Sequence, residues 1–276
     1  MLNSHHLKHF FLRPPLGQRL SWLAAALFLV VNGWFVANLQ NYAELREAAA
    51  RPEVAVVSVV FVLAFAAPAF AAAVRWLGLK RGAALIGVLG IFAVSIETFA
   101  LHTGIPYGRF SYGDKIGTQL PGGVPWTVCF AWSPLLLGAM TLTHRQSKMR
   151  RVSRCLWAAA LLTAFDGVLD PGAVSQNYWR YDAGGLYYGV PFSNFCGWLL
   201  SGFVGAWIFS VMTRDAKPPV ALVRSALLIL LFWTSVCAWS LMVVPALLGV
   251  VLLLFAFRSF FSGTTEFDRT LSHETS

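Results

Sequence analysis

The sequence predicts an all-α, polytopic transmembrane helix bundle on three observations: apolar runs of bilayer length, a scarcity of charge, and basic residues that alternate between successive connections. Of 276 residues, 57% are hydrophobic and 12% charged, and the mean hydropathy is +0.64. Soluble domains carry about 25% charged residues, so water is not the solvent for most of this chain. A hydrocarbon core takes about 20 apolar residues at about 1.5 Å each. Eight runs approach that length: 20–39, 54–76, 83–101, 124–142, 152–169, 191–212, 220–240 and 243–257. The turn around 241–245 makes the last two either a hairpin or one long broken helix, so seven spans is the alternative count.

Orientation follows from the excess of Lys and Arg in cytoplasmic connections. The N-terminus (Lys8, Arg13, Arg19), the second, fourth and sixth connections (Arg75, Lys80, Arg81; Arg145, Lys148, Arg150, Arg151, Arg154; Arg214, Lys217, Arg224) and the C-terminus (Arg258, Arg269) hold sixteen basic residues. The alternate connections hold five: Arg46, Arg51, Arg109, Lys115 and Arg180. This asymmetry predicts a multi-pass protein of the inner cell membrane with both termini in the cytoplasm. The net charge of +9 is then explained by topology and anionic headgroups, with no nucleic-acid partner. The first run is too long for a cleaved signal and is followed by another span. Residues 1–262 read as one integral membrane domain and 263–276 as a polar cytoplasmic tail. Cys129, Cys155, Cys196 and Cys237 fall in four different spans without a CxxC pair and read as buried small hydrophobes.

Two stretches repeat in parallel, spans three and four (about 83–142) and spans five and six (about 152–212). Glu97 is followed by Phe110, Tyr112, a Gly-Val-Pro at 123–125 and Trp132; Asp166 is followed by Trp179, Tyr181, a Gly-Val-Pro at 189–191 and Trp198. Acid to tyrosine is fifteen residues in both, and proline to tryptophan seven in both. Each half is expected to be a helix carrying a carboxylate, an aromatic loop, and a returning helix begun at the proline, where a missing N–H is harmless and Thr127 or Ser193 can cap. Glu97 and Asp166 sit about fourteen residues, roughly 21 Å, from the cytoplasmic start of their spans, beneath loops on the opposite side.

An ionisable group within a span costs on the order of 3 kcal/mol, so Glu97 and Asp166 are expected to face a cavity or a partner. Asp170, four residues after Asp166, shares its helical face. The alternatives are bonds to neighbouring helices, ion pairs with Arg109 or Arg180, or helix capping. Tyr107, Tyr112, Trp126, Trp132, Trp179, Tyr181, Tyr188 and Trp198 crowd the loops and helix starts. They form either an interfacial aromatic belt or a lined pocket, and Asn194 at the start of span six can hold a water or hydroxyl. No HxxxH, HxxHH or HExxH box is present, so metal-dependent oxidation finds little support and no metal is expected.

The segments Glu97-Thr98, Thr103 through Tyr112, Gly123 through Trp126, Asp166 through Pro171, Trp179, and Tyr187 through Trp198 resemble the carotenoid biosynthesis membrane family that includes γ-carotene 1′,2′-hydratase and bisanhydrobacterioruberin hydratase. The similarity covers roughly residues 20–260. It implies a cofactor-free hydratase that adds water to the terminal C1′,2′ double bond of an acyclic carotenoid end group of lycopene, γ-carotene or C50 type. The partners it implies are a carotenoid dissolved in the bilayer, water, and neighbouring carotenoid enzymes. The residues fit this chemistry: a carboxyl kept neutral in a low dielectric can protonate the alkene, and a second carboxylate can steady the tertiary cation and deprotonate the attacking water. Aromatic faces attract a cation without trapping it, by about 0.5 to 2 kcal/mol each. Asp166, Glu97 and Asp170 are therefore the catalytic candidates. Two other functions compete. A Mg²⁺-dependent membrane prenyltransferase would use Asp166-xxx-Asp170, although the first repeat has Leu101 at the position matching Asp170. A lipid or small-molecule transporter would also carry repeats and intramembrane acids.

Overall fold

A computed structural model describes residues 16–38, 42, 52–144 and 149–274. Lys8, Arg13, Arg46, Arg51, Arg145 and Lys148, which enter the charge asymmetry, lie outside those residues. The helices are α1 (Leu16–Asn38), α2 (Pro52–Leu77), α3 (Leu79–Thr103), α4 (Val128–His144), α5 (Arg151–Ser175), α6 (Phe192–Met212), α7 (Val223–Trp239) and α8 (Val243–Glu274). Two short strands, β1 (Phe110–Tyr112) and β2 (Trp179–Tyr181), lie in the connections after α3 and α5.

Among the described residues, seven helices are long and apolar enough to cross a membrane, and α4 is a shorter eighth. Its 17 residues reach about 25 Å. The expected start at residue 124 is corrected: residues 124–127 form a turn in which Pro125 bridges to Gln119 and the Trp126 N–H bonds the Thr118 carbonyl. Thirteen of the 17 residues of α4 are buried, because α2, α3, α5 and α7 wall it in. A helix enclosed by protein has no lipid-facing backbone to shield and need not match the bilayer. At the second Gly-Val-Pro, Pro191 is the N-cap and α6 begins at Phe192. The expected hydroxyl caps do not form. Thr127 Oγ1 donates to the Ile116 carbonyl, and Ser193 Oγ donates to the Tyr107 carbonyl at 3.1 Å, so each hydroxyl ties down a loop.

The last two runs are separate helices. Leu241 has φ +58° in a turn that returns α8 against α7. The α8 helix continues to Glu274 through most of the polar tail. The cysteine reading holds for Cys155 and Cys237, which are buried, but Cys196 is exposed and Cys129 only half-buried. Both lie on helix faces that the linear sequence did not orient.

Helix α7 is the hub, and small residues let its neighbours approach, as suits helices that gain little from apolar burial in lipid. A Cβ on Gly33 of α1 would lie 2.3 Å from Ser235 Oγ, and one on Gly249 of α8 would lie 2.1 Å from Thr234 Oγ1. On α2 the ladder is disturbed at Pro68, and the next N–H, that of Ala69, is accepted by Ser225 Oγ of α7 at 2.9 Å. At the end of the bundle away from the strands, Asp215 after α6 receives Arg151 at 2.5 Å and Arg154 at 3.1 Å from the start of α5.

The strands pair antiparallel, with Phe110 opposite Tyr181, Ser111 opposite Arg180 and Tyr112 opposite Trp179. The α3–α4 and α5–α6 connections are thereby joined over one end of the bundle. Gly138 of α4 packs so closely that an added Cβ would sit 2.6 Å from Ala226 Cβ. Gly138→Val is expected to cost about 1 to 3 kcal/mol by overpacking and to lower the thermal unfolding midpoint in detergent. An unchanged midpoint would contradict the close approach of α4 and α7.

Candidate functional site

Helical periodicity aims the acids inward. On α3 the buried positions Gly90, Ala93, Glu97 and Ala100 recur every three or four residues, so Glu97 faces the bundle with small neighbours. On α5, Asp166 and Asp170 stand one turn apart on the buried face. Asn194 lies in the first turn of α6, and its side chain is 1% exposed.

The paired strands bring phenols to these acids. Tyr112 donates from its hydroxyl to Glu97 Oε2 at 2.8 Å, and Tyr181 donates to Asp170 Oδ2 at 2.7 Å. Asn194 Nδ2 donates to both aspartates, to Asp166 Oδ2 at 2.8 Å and Asp170 Oδ2 at 2.6 Å. The fifteen-residue correspondence is therefore not repeated in the bonding: Tyr112 reaches the acid fifteen positions back, whereas Tyr181 reaches Asp170, eleven back. The partners are tyrosines and an asparagine, not Arg109 or Arg180, which are exposed. Burial, and next the Glu97 carboxyl, hold the Tyr112 phenol well above its usual range. Burial, then Asp170 and Asp166, do the same at Tyr181. Both hydroxyls therefore stay protonated donors.

The acids border an apolar cavity of about 420 Å³. Of the residues singled out in the sequence, Glu97, Asp170, Tyr107, Tyr112, Trp132, Trp179, Tyr181, Asn194 and Trp198 line it. Asp166 does not; it lies behind, fully buried, and contacts the cavity residues Asp170 and Asn194. Trp126 and Tyr188 also lie off the cavity. Trp126 packs edge-on against Phe130 at 5.6 Å, and the Tyr188 hydroxyl accepts the Val244 N–H at 3.4 Å. Sequence reasoning missed the wall opposite, made by Ser58, Phe61 and Phe65 of α2 and Ile229, Phe232 and Trp233 of α7. The four-residue spacing of Phe61 and Phe65 marks one helical face, but any apolar span offers such pairs, and only packing picks this one.

Two glycines of α6 seat the rings. A Cβ on Gly197 would come within 2.3 Å of the Tyr107 ring, and one on Gly205 within 2.4 Å of the Trp132 ring. Phe110 packs against Tyr107, Tyr112 and Tyr181 at centroid distances of 6.4, 5.4 and 5.9 Å, and so fixes the phenols over the acids. The resulting chamber sets carboxyls, phenols and aromatic faces in a wall that is mostly apolar.

A family model described as carotenoid biosynthesis protein matches residues 53–256. The chain belongs to the carotenoid biosynthesis protein family. The matched span contains every acid and aromatic residue of the cavity except the contribution from α1. A relative in Haloarcula japonica, bisanhydrobacterioruberin hydratase, is 39% identical over 133 residues, covering 47% of this chain and 45% of the relative. The chain thus matches a little under half the length of that curated relative. No solved structure matches this carotenoid biosynthesis protein.

Asn194→Leu removes the amide that serves both aspartates, leaving buried acceptors unmatched at a cost of about 1 to 3 kcal/mol. A lower thermal midpoint in detergent is expected, and no change would show that the amide is dispensable. Gly205→Ala is expected to push the Trp132 ring from its seat and to reduce ligand uptake by the cavity. Retention of wild-type binding in a tryptophan-quenching titration would contradict this.

Proposed function

We propose that the protein is a carotenoid hydratase that adds water across the terminal C1′,2′ double bond of an acyclic end group. The observation that carries this reading is that two carboxyls, Glu97 and Asp170, line a cavity whose wall is mostly apolar and aromatic. Such a chamber suits a substrate that is hydrocarbon throughout and reacts by gaining a proton. The Haloarcula japonica relative is named as a hydratase of a carotenoid, which supports the same chemistry without specifying the substrate here.

In the proposed mechanism Glu97, on which one phenol is directed, is the acid. Its O–H proton passes to the less substituted alkene carbon, the π pair forms the new C–H bond, and a tertiary cation is left at the other carbon. The faces of Trp132, Trp179 and Trp198 attract that cation through their ring quadrupoles. Asp170 accepts hydrogen bonds from Tyr181 and Asn194, and so serves as the carboxylate that steadies the cation and takes a proton as water forms the C–O bond. That proton returns to Glu97 before the next turnover, so the product is a tertiary alcohol with no net change in the protein.

Asp166 supports Asp170 from behind. Its Oδ1 is buried with no hydrogen-bond partner among the described residues, and its Oδ2 accepts from the same Asn194 amide that serves Asp170. The indole N–H of Trp132, buried without an acceptor among the described residues, is available to hold the incoming water. The prenyltransferase reading is less well supported, because no Lys or Arg that could grip a diphosphate lines the cavity among the described residues. The charge asymmetry supports an inner-membrane location with cytoplasmic termini, which would set the acids toward the outer face, where water is near.

The test is expression in a lycopene- or γ-carotene-producing bacterium with mass analysis of the pigments. A product heavier by one water is expected. Glu97→Gln and Asp170→Asn should each lower its rate by about 10² to 10⁴-fold, and Tyr112→Phe and Tyr181→Phe by less. Full activity in both acid variants would refute the assignment of roles, and flux of an unchanged compound without product would favour transport.

A further inference from the structure

We infer that the cavity is an end-on site with a lateral portal: a long polyene enters by one tip between α1 and α2, and the rest of its length remains in lipid. The identity of the polyene rests on the proposed hydratase reading, whereas the route rests on geometry. Around Glu97 and Asp170 the lining residues Tyr107, Trp132, Leu135 and Trp198 are 2%, 3%, 1% and 8% exposed, while Ala131 of α4, which also lines the cavity, is exposed. Away from the acids the cavity runs between Phe61 and Phe65 of α2 and Ile229 and Phe232 of α7, and reaches Phe35 of α1 and Val57 of α2. These last two are 44% and 53% exposed on the outside of the bundle, where a membrane-spanning protein meets lipid.

The mouth is chemically suited to a hydrocarbon. Its polar side chains are engaged within the protein: the Asn32 amide donates to the Phe28 carbonyl at 2.8 Å, and Ser58 Oγ and Tyr178 Oη share a hydrogen bond of 3.2 Å. Helix α1 is held by α7 and α8, through Gly33 against Ser235 and Trp22 against Phe257 and Phe260 at 5.6 and 5.7 Å. Across to α2, Phe28 stacks on Phe61 at 6.1 Å, a contact between rings that can part and re-form. A cavity of about 420 Å³ holds one tip of a long linear molecule and leaves the far tip unread. A substrate with two reactive ends must therefore leave and re-enter before its second end reacts.

The experiment uses the full chain in lipid nanodiscs with lycopene as probe, and combines turnover with photo-crosslinking from a diazirine residue at position 57 or, as control, at position 254. Leu254 is 67% exposed on α8 and lies off the cavity. Crosslinking to the polyene is expected at position 57 and not at 254. Val57→Trp should lower kcat/KM at least tenfold, and Leu254→Trp should leave it unchanged. The singly hydrated product should accumulate free in lipid before any doubly hydrated one. Turnover without crosslinking at 57, equal crosslinking at both positions, or an unimpaired Val57→Trp would overturn the portal. Crosslinking at 57 with no added water would uphold the portal and refute the hydratase reading.

Discussion

Three carboxyls enclosed in an apolar bundle must find hydrogen-bond donors inside it, and the rest of the structure is arranged around meeting that demand. Burial withdraws Glu97, Asp166 and Asp170 from bulk solvent, and an unmet buried acceptor costs more than a made bond gains. The donors come from elements distant in sequence. Tyr112 and Tyr181 are held over the acids by the pairing of β1 with β2, and Asn194 is supplied by the start of α6. Strand pairing in a connection thereby sets the chemistry of a helix interior.

Close packing gives the site its shape. Glycines at 197 and 205 admit the rings of Tyr107 and Trp132 into the α6 surface, and α7 is approached closely by α1, α4 and α8 at small residues. These contacts pack the bundle closely about α6 and α7, while across the α1–α2 seam Phe28 stacks on Phe61. On the proposed reading, the closely packed part surrounds the cation and the seam admits a long hydrocarbon. A reactive cation needs fixed surroundings, and a molecule longer than the cavity needs an opening; one bundle meets both needs in the same chamber.

Much of the site was legible in the chain, for identifiable reasons. Glu97, Asp166 and Asp170 stood out because charge is rare within spans, and the tyrosines and tryptophans because they cluster in only two connections. Trp126 and Tyr188 belong to the same clusters yet point elsewhere, since composition has no direction. The parallel correspondence of the two halves anticipated loops at one end of the bundle, but Tyr112 reaches the acid fifteen positions back whereas Tyr181 reaches Asp170, eleven back. A one-turn change in partner leaves spacing untouched and depends on how α5 is rotated beneath the strands.

The sequence by itself determined the solvent of this protein, the number and order of its helices to within the short α4, and the identity of its buried acids, because hydropathy and charge are local properties summed along the chain. Only the tertiary structure decided which acids face the cavity, which donors complete them, and that α2 and α7 form its opposite wall. Those outcomes depend on helix rotation and close approach, and residues such as Phe61, Phe232 and Gly205 acquire their meaning only from what packs against them.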